Sequence, residues 1–226
     1  MKNSAIEGKE IAIRKYLDKN FDLYGVIPVS LVPFGEYIAA YAKRITKNPL
    51  DSLQTAKSII VVAKCTTYEE DVFKTSFITN SYKGYIDIYV ASNQLKTYLK
   101  SLEVRAVIEH DLDQKACAIL AGLGWRGKNT LVVNKKYGTH LRFDTVVTDL
   151  AFSEYSSIVE NECGECNLCV KACPHGCFAA GKLDKDKCFK KYLPKKRMNI
   201  INPIPMCAEC QKGCLFNIQA CKWSER

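Results

Sequence analysis

The run Cys163-Gly-Glu-Cys166-Asn-Leu-Cys169-Val-Lys-Ala-Cys173-Pro174 constrains this chain more than any other feature. Its C-x2-C-x2-C-x3-C-P spacing is one that holds a [4Fe–4S] cube. Three thiolates two residues apart curl a short loop around three corners of a cluster. The fourth lies too far along to close the same cube and turns to a second one. The sequence supplies partners for it in Cys188 and in Cys207-x2-Cys210-x3-Cys214. The assignment is therefore crossed. One cluster takes Cys163, Cys166, Cys169 and Cys214, and the other takes Cys173, Cys188, Cys207 and Cys210. Zinc is the alternative, but zinc sites pair C-x2-C steps and seldom run three together before a proline. Cys177 and Cys221 are near in sequence and stay outside the set, while Cys65 and Cys117 read as small buried hydrophobes.

Twelve of the 226 residues are cysteine, most of them between Cys163 and Cys214. An even count invites disulfides, but the opening Met1-Lys-Asn-Ser-Ala-Ile-Glu-Gly-Lys-Glu10 has no apolar signal core. No apolar run approaches the roughly 18 residues of a membrane span. A reducing, cytoplasmic setting with no membrane partner is the expectation, and there clustered thiols bind metal more often than each other. The formal charge of +9 shrinks once clusters are counted. A 2+ cube with four thiolates carries −2, so two cubes leave +9 − 4, about +5. That excess does not argue for nucleic acid. The stretch from Lys182 to Arg197 is more lopsided, with eight basic residues against Asp184 and Asp186. It reads as a solvated face, or as a docking surface for an acidic electron donor or a nucleic acid.

Ahead of the cysteines, helix and strand signals alternate. Helical spacing covers Ile6 to Leu17, Phe34 to Ile45, Tyr85 to Leu102 and Gln114 to Ala121. Extended segments are expected at Asp22 to Val29, Ser58 to Ala63, Val104 to Ile108, Thr130 to Val133 and Leu141 to Thr148. From about Glu154 these signals fade. The organisation expected is an α+β domain over 1–153 and a metal-held module over 154–226. Between them in character is the segment Gly122-Leu-Gly124-Trp125-Arg126-Gly127-Lys128-Asn129, which satisfies two nucleotide-loop patterns at once. Neither survives: a helix precedes it, a β-rich run follows, and Asn129 stands where a phosphate loop needs Ser or Thr. What remains is a glycine loop able to wrap an anionic or planar cofactor, or simply a tight connection with an anchoring tryptophan. His110 and His140 read as ordinary polar residues, and His175 as a shaper of the cysteine loop.

The order of these motifs resembles the epoxyqueuosine reductases, cobalamin-dependent iron–sulfur enzymes of tRNA modification. The matching pieces are Ala121 to Asn129, Tyr137-Gly138, Thr148-Asp149, Cys163 to Pro174, Cys188 to Tyr192 and Cys207 to Cys214. The resemblance implies a nitroreductase-like, corrinoid-binding α+β core followed by a ferredoxin-like module with two [4Fe–4S] clusters. Gly122, Gly124, Trp125, Gly127, Lys128 and Asn129 would then lie near the corrinoid. Two departures matter. The chain stops at Arg226, without the family's C-terminal tRNA-binding segment. The family's proton-donating aspartate falls on Ile108, leaving Asp111 as the candidate and Glu109 facing the other way along a strand. A tRNA substrate is accordingly not expected. Two functions stand: a corrinoid-dependent reductase, or an electron-transfer protein. The first acts on a small electrophile, and the second serves a partner that holds the corrinoid. A flavodoxin or ferredoxin would supply the electrons.

Overall fold

Helix α1 (Lys2–Asn20) leads into strand β1 (Leu23–Pro28), a hairpin of β2 (Gly35–Ala39) and β3 (Ala42–Thr46), and a single turn, α2 (Pro49–Ser52). Strand β4 (Ser58–Cys65), the long helix α3 (Phe77–Ser101), strand β5 (Ala106–Ile108) and helix α4 (Gln114–Leu120) follow. The chain continues through β6 (Trp125–Arg126), β7 (Val132–Val133) and β8 (Leu141–Thr148). Beyond Thr148 the described residues hold short pieces: α5 (Leu168–Lys171), β9 (Phe178–Ala179), β10 (Lys182–Leu183), α6 (Lys185–Phe189) and α7 (Glu209–Lys212). The computed structural model describes residues 2–39, 42–65, 77–179, 182–189 and 208–217. Cys207, Cys221 and the basic run 190–197 lie outside the described residues.

Strands β1, β4, β8 and β5 pair in that order, all antiparallel. The apolar run in β4 makes sense at the sheet's centre, since both of its faces are covered. Ile60 and Val62 join Val26 and Val146 under α1 and α3, where Ile13, Leu17, Leu95 and Leu99 are fully buried. Ile59, Val61 and Ala63 point the other way with Ile27 and Val147, under Cys117 and Ala118 of α4. The period-2 alternation thus feeds two separate cores. Cys117 is a core residue as expected; burial pushes its thiol up to about 12, which keeps it protonated and inert.

The expected helix from Phe34 to Ile45 is absent. Gly35–Ala39 and Ala42–Thr46 pair instead as antiparallel strands, with Gly35 opposite Thr46. Gly35 has φ +84°, which diverts the chain just where a helix entered through Pro33 would begin. The other expected elements occur, although the strand at Thr130 shrinks to Val132–Val133.

Residues 153–157 do not swing free between the two halves. Ser153 donates through its N–H and hydroxyl to Glu10, which Arg14 also holds. Ser156 binds both polar backbone atoms of Val26. The connector is thereby stitched along α1 and β1.

His140 sits buried before β8, and burial, aided by the neighbouring Arg142 charge, lowers its pKa to about 4. Above its unfolded value near 6.5 both states are neutral, and below it only the unfolded chain takes up the proton. Stability is therefore full above about pH 6.5 and falls as pH drops toward 4, by about 2 kcal/mol at pH 5. Urea midpoints at pH 7 and pH 5 check this, with His140→Asn expected to flatten the difference.

Candidate metal centre and the glycine loop beside it

The turn after Cys163 is closed by the Cys166 N–H on the Cys163 carbonyl, with Gly164 at φ +44°. Asn161 caps the loop by accepting from the Cys163 N–H. Cys169 then enters α5, and α5 packs on α7, the helix that leads into Cys214. Four thiols from two distant segments therefore face one another: Cys163, Cys166, Cys169 and Cys214. Burial raises the pKa of Cys169 and of Cys214, and the charges of the neighbouring thiols add to it. Four soft donors that repel one another as anions suit a cationic iron cluster.

A second group forms around Cys173, which ends the same run. Gly176 at φ +54° turns the chain, and the Cys177 N–H comes back to the Cys173 sulfur at 3.4 Å. The hairpin β9–β10 returns residue 184 to the Cys177 carbonyl, and one helical turn later stands Cys188. Cys210 lies in α7, while Cys207 is not among the described residues. All ten described cysteines are free thiols. Among the described residues, no three or more His, Cys, Asp or Glu side chains group tightly enough for one metal ion. A four-iron cube asks its thiolates to stand apart around it.

The glycine loop runs along the seam between the core and these cysteines. Gly122 has φ +72°, and a Cβ there would meet the Ser157 carbonyl at 2.3 Å; at Gly124 (φ +156°) it would meet the Val133 carbonyl at 2.2 Å. Both glycines are thus explained by close backbone passage. Trp125 is buried, stacks edge-on against Phe216 at 5.1 Å and donates its indole N–H to the Cys163 sulfur at 3.2 Å. Gly127 is buried against Val133, Lys128 reaches the Asn167 carboxamide oxygen at 3.1 Å, and buried Asn129 donates to the Cys210 carbonyl. Asn217 completes the seam, accepting from the Thr139 N–H at 2.6 Å and donating to the Gln211 carbonyl. Of the six loop residues proposed for a cofactor, Trp125, Lys128 and Asn129 bond to the cysteine module, while Gly124 and Gly127 pass against β7. Among their side chains Lys128 alone keeps substantial exposure.

Asp111 is exposed, and its backbone is tied down at both ends: its carbonyl accepts from the Lys47 N–H and its own N–H donates to Glu109. Glu109 is buried. Burial would raise its pKa, but Ser52, the Asp111 N–H and Lys47 outweigh that and hold it below the ordinary carboxylate value. Sequence reasoning missed the residue between them. His110 places Nδ1 3.3 Å from Asp144, a side chain only 3% exposed. Beside this pair opens a cavity of about 400 Å³ lined by Ile86, Ile88, Tyr89, Gln114 and Phe143. A strand register that sets residue 108 opposite 146 carries the pair together, and that register cannot be read from one strand alone. A larger cavity of about 850 Å³, between α3 and β5, has none of the candidate residues in its lining.

No family model matches the chain. It is 36% identical to an epoxyqueuosine reductase of Listeria monocytogenes over 115 residues, which is 47% of this chain and 30% of that protein. The match to the Cyclobacterium marinum enzyme is 26% over 234 residues, 95% of this chain and 67% of that one. Among solved structures, the Bacillus subtilis epoxyqueuosine reductase superposes at TM-score 0.68 with 19% identity, over 94% of this chain and 66% of that one. An epoxyqueuosine reductase bound to an epoxyqueuosine-modified tRNA stem loop follows at 0.66 and 19%, with the same coverage. A reductive dehalogenase described as B12-dependent gives 0.69 and 15%, over 95% of this chain and 33% of its own. Mixed helix and sheet in this arrangement is thus shared with both enzyme classes. The chain is similar to the epoxyqueuosine reductases and spans about a third of the length of the curated proteins it matches at higher identity.

Proposed function

We propose that this chain is a redox protein with two [4Fe–4S] clusters and a corrinoid, and that it carries out reductive chemistry. The convergence of Cys163, Cys166, Cys169 and Cys214 from separate segments carries the reading. It matches the crossed set that the sequence spacing suggests for a two-cluster arrangement, in which the last cysteine of the run serves the other cluster. Cys173, Cys188 and Cys210 would hold the second cluster with Cys207. In the same reading the core over 1–153 is the nitroreductase-like, corrinoid-binding part and 154–226 the ferredoxin-like module. A bound corrinoid supplies a low-valent metal nucleophile, while the protein supplies orientation and charge.

The chain's own residues have three tasks. Trp125 aims an N–H at a cluster sulfur, which favours the more negative, reduced state and raises the potential. Its ring and Phe216 keep water from that side. His110, held by Asp144 through Nδ1, offers Nε2 toward the cavity and hands a proton to a reduced substrate, a task that Asp111 is poorly set to perform. A net positive chain suits an acidic donor such as a flavodoxin or ferredoxin. A tRNA substrate stays within the proposal, since a relative was solved with a tRNA stem loop and the contrary expectation has no support. No described helix is long and apolar enough to cross a membrane.

One observation favours the second function. Trp125 and Asn129 turn toward the cysteine module, which leaves the loop little side-chain surface for a corrinoid. Anaerobic titration of the reconstituted protein with hydroxocobalamin separates the two. A change to a base-off cobalt spectrum with saturable binding is expected. Intact clusters with no binding would leave an electron-transfer protein.

A further inference from the structure

Cys177 stands four residues past Cys173 and outside the eight cysteines assigned to the two clusters. The fold places it otherwise. It is 1% exposed, yet it is not packed as a small hydrophobe among aliphatic side chains of either core. Its thiol lies within hydrogen-bonding reach of the thiols of both Cys173 and Cys188. Backbone geometry fixes all three. The turn at Gly176 brings the Cys177 N–H to the Cys173 sulfur, the β9–β10 hairpin brings residue 184 to the Cys177 carbonyl, and Asp184 heads the turn that carries Cys188. In the two-cluster reading, which adds Cys207 and Cys210 as ligands from the sequence, the second cluster would have five candidate thiols for four corners.

We infer that Cys177 is a reserve ligand of the second cluster, able to take the corner of Cys173 when that thiolate is lost. The inference rests on the two-cluster reading above. The exchange balances without an oxidant or reductant. The iron–sulfur bond to Cys173 breaks and one to Cys177 forms, Cys177 gives its proton to solvent, and Cys173 takes one up. Because both sulfurs sit at the two ends of one five-residue turn, the exchange needs a rotation of side chains and no rearrangement of the hairpin.

The test compares the parent, Cys173→Ser and Cys173→Ser/Cys177→Ser after anaerobic reconstitution with iron and sulfide, by iron content and EPR. The parent should hold about eight irons, Cys173→Ser nearly as many with an altered signal, and the double variant about four. Equal iron in the single and double variants overturns the inference. A parent with only about four irons overturns the two-cluster reading itself, so the two failures are distinguishable. Should Cys173→Ser not fold, Cys177→Ala decides the matter in the otherwise native chain. Bathophenanthroline should then strip the second cluster several-fold faster than from the parent, and equal rates overturn the inference.

Discussion

Cys214→Ser is expected to remove the first cluster alone, taking iron from about eight to about four per chain and halving the visible absorbance. Cys214 is the last cysteine among the described residues, yet it faces Cys163, Cys166 and Cys169, which lie far upstream. It also packs with Trp125, Val133 and Phe216, the small cluster that joins the module to the core. Serine keeps the volume but offers a harder, less acidic donor, so the corner of the cube is lost while the packing survives. Cys210→Ser, four residues earlier, should spare that cluster and damage the other. The comparison needs EPR of both variants. If each erased the same signal, the crossed topology would be wrong, and the C-terminal cysteines would serve one cluster together.

Much of this was legible because the signals were local. Three C-x2-C steps force a loop whatever the rest of the chain does, and an apolar run as dense as Ser58 to Ala63 has nowhere to go but a sheet centre. The hairpin over Gly35–Ala39 and Ala42–Thr46 was not legible. Its apolar residues fit a helix as well as a strand, and the decision fell to a glycine with φ +84° and to strand pairing. The contacts of Cys177 were hidden for a related reason, since the segment that carries Cys188 returns to it by a hairpin rather than by spacing. His110 and Asp144 stand 34 residues apart by number and meet only through the β5–β8 register. The glycine loop was legible as a pattern, and its Trp125 and Asn129 turn toward the cysteine module. Its pattern reports close backbone passage, and a pattern cannot tell a cofactor's approach from that of another strand.

That distinction gives the second large effect, in Gly124→Ala. An alanine Cβ would stand 2.2 Å from the Val133 carbonyl oxygen, which belongs to a paired strand and cannot swing aside. The residue also holds φ +156°, a region that side chains rarely enter. Strain of about 1–3 kcal/mol adds to overpacking of similar size. For a chain of this length the thermal midpoint should fall by roughly 5–15 °C. The damage should not stop at stability. Trp125 follows directly, so a displaced Gly124 loosens both the indole N–H bond to Cys163 and the contact with Phe216, and the first cluster should become easier to strip. Lys128→Ala, four residues on and only half-buried, is the control. It should leave the midpoint within about 1 °C, because a surface hydrogen bond to Asn167 is worth little. The pair of variants then divides the loop by task. A fall in hydroxocobalamin affinity in Lys128→Ala at unchanged stability would give the loop a cofactor face as well as a structural one. Unchanged affinity there, beside a large loss of stability in Gly124→Ala, would make it a strut between the sheet and the clusters. A Gly124→Ala protein that melts with the parent would refute the close passage on which either role depends.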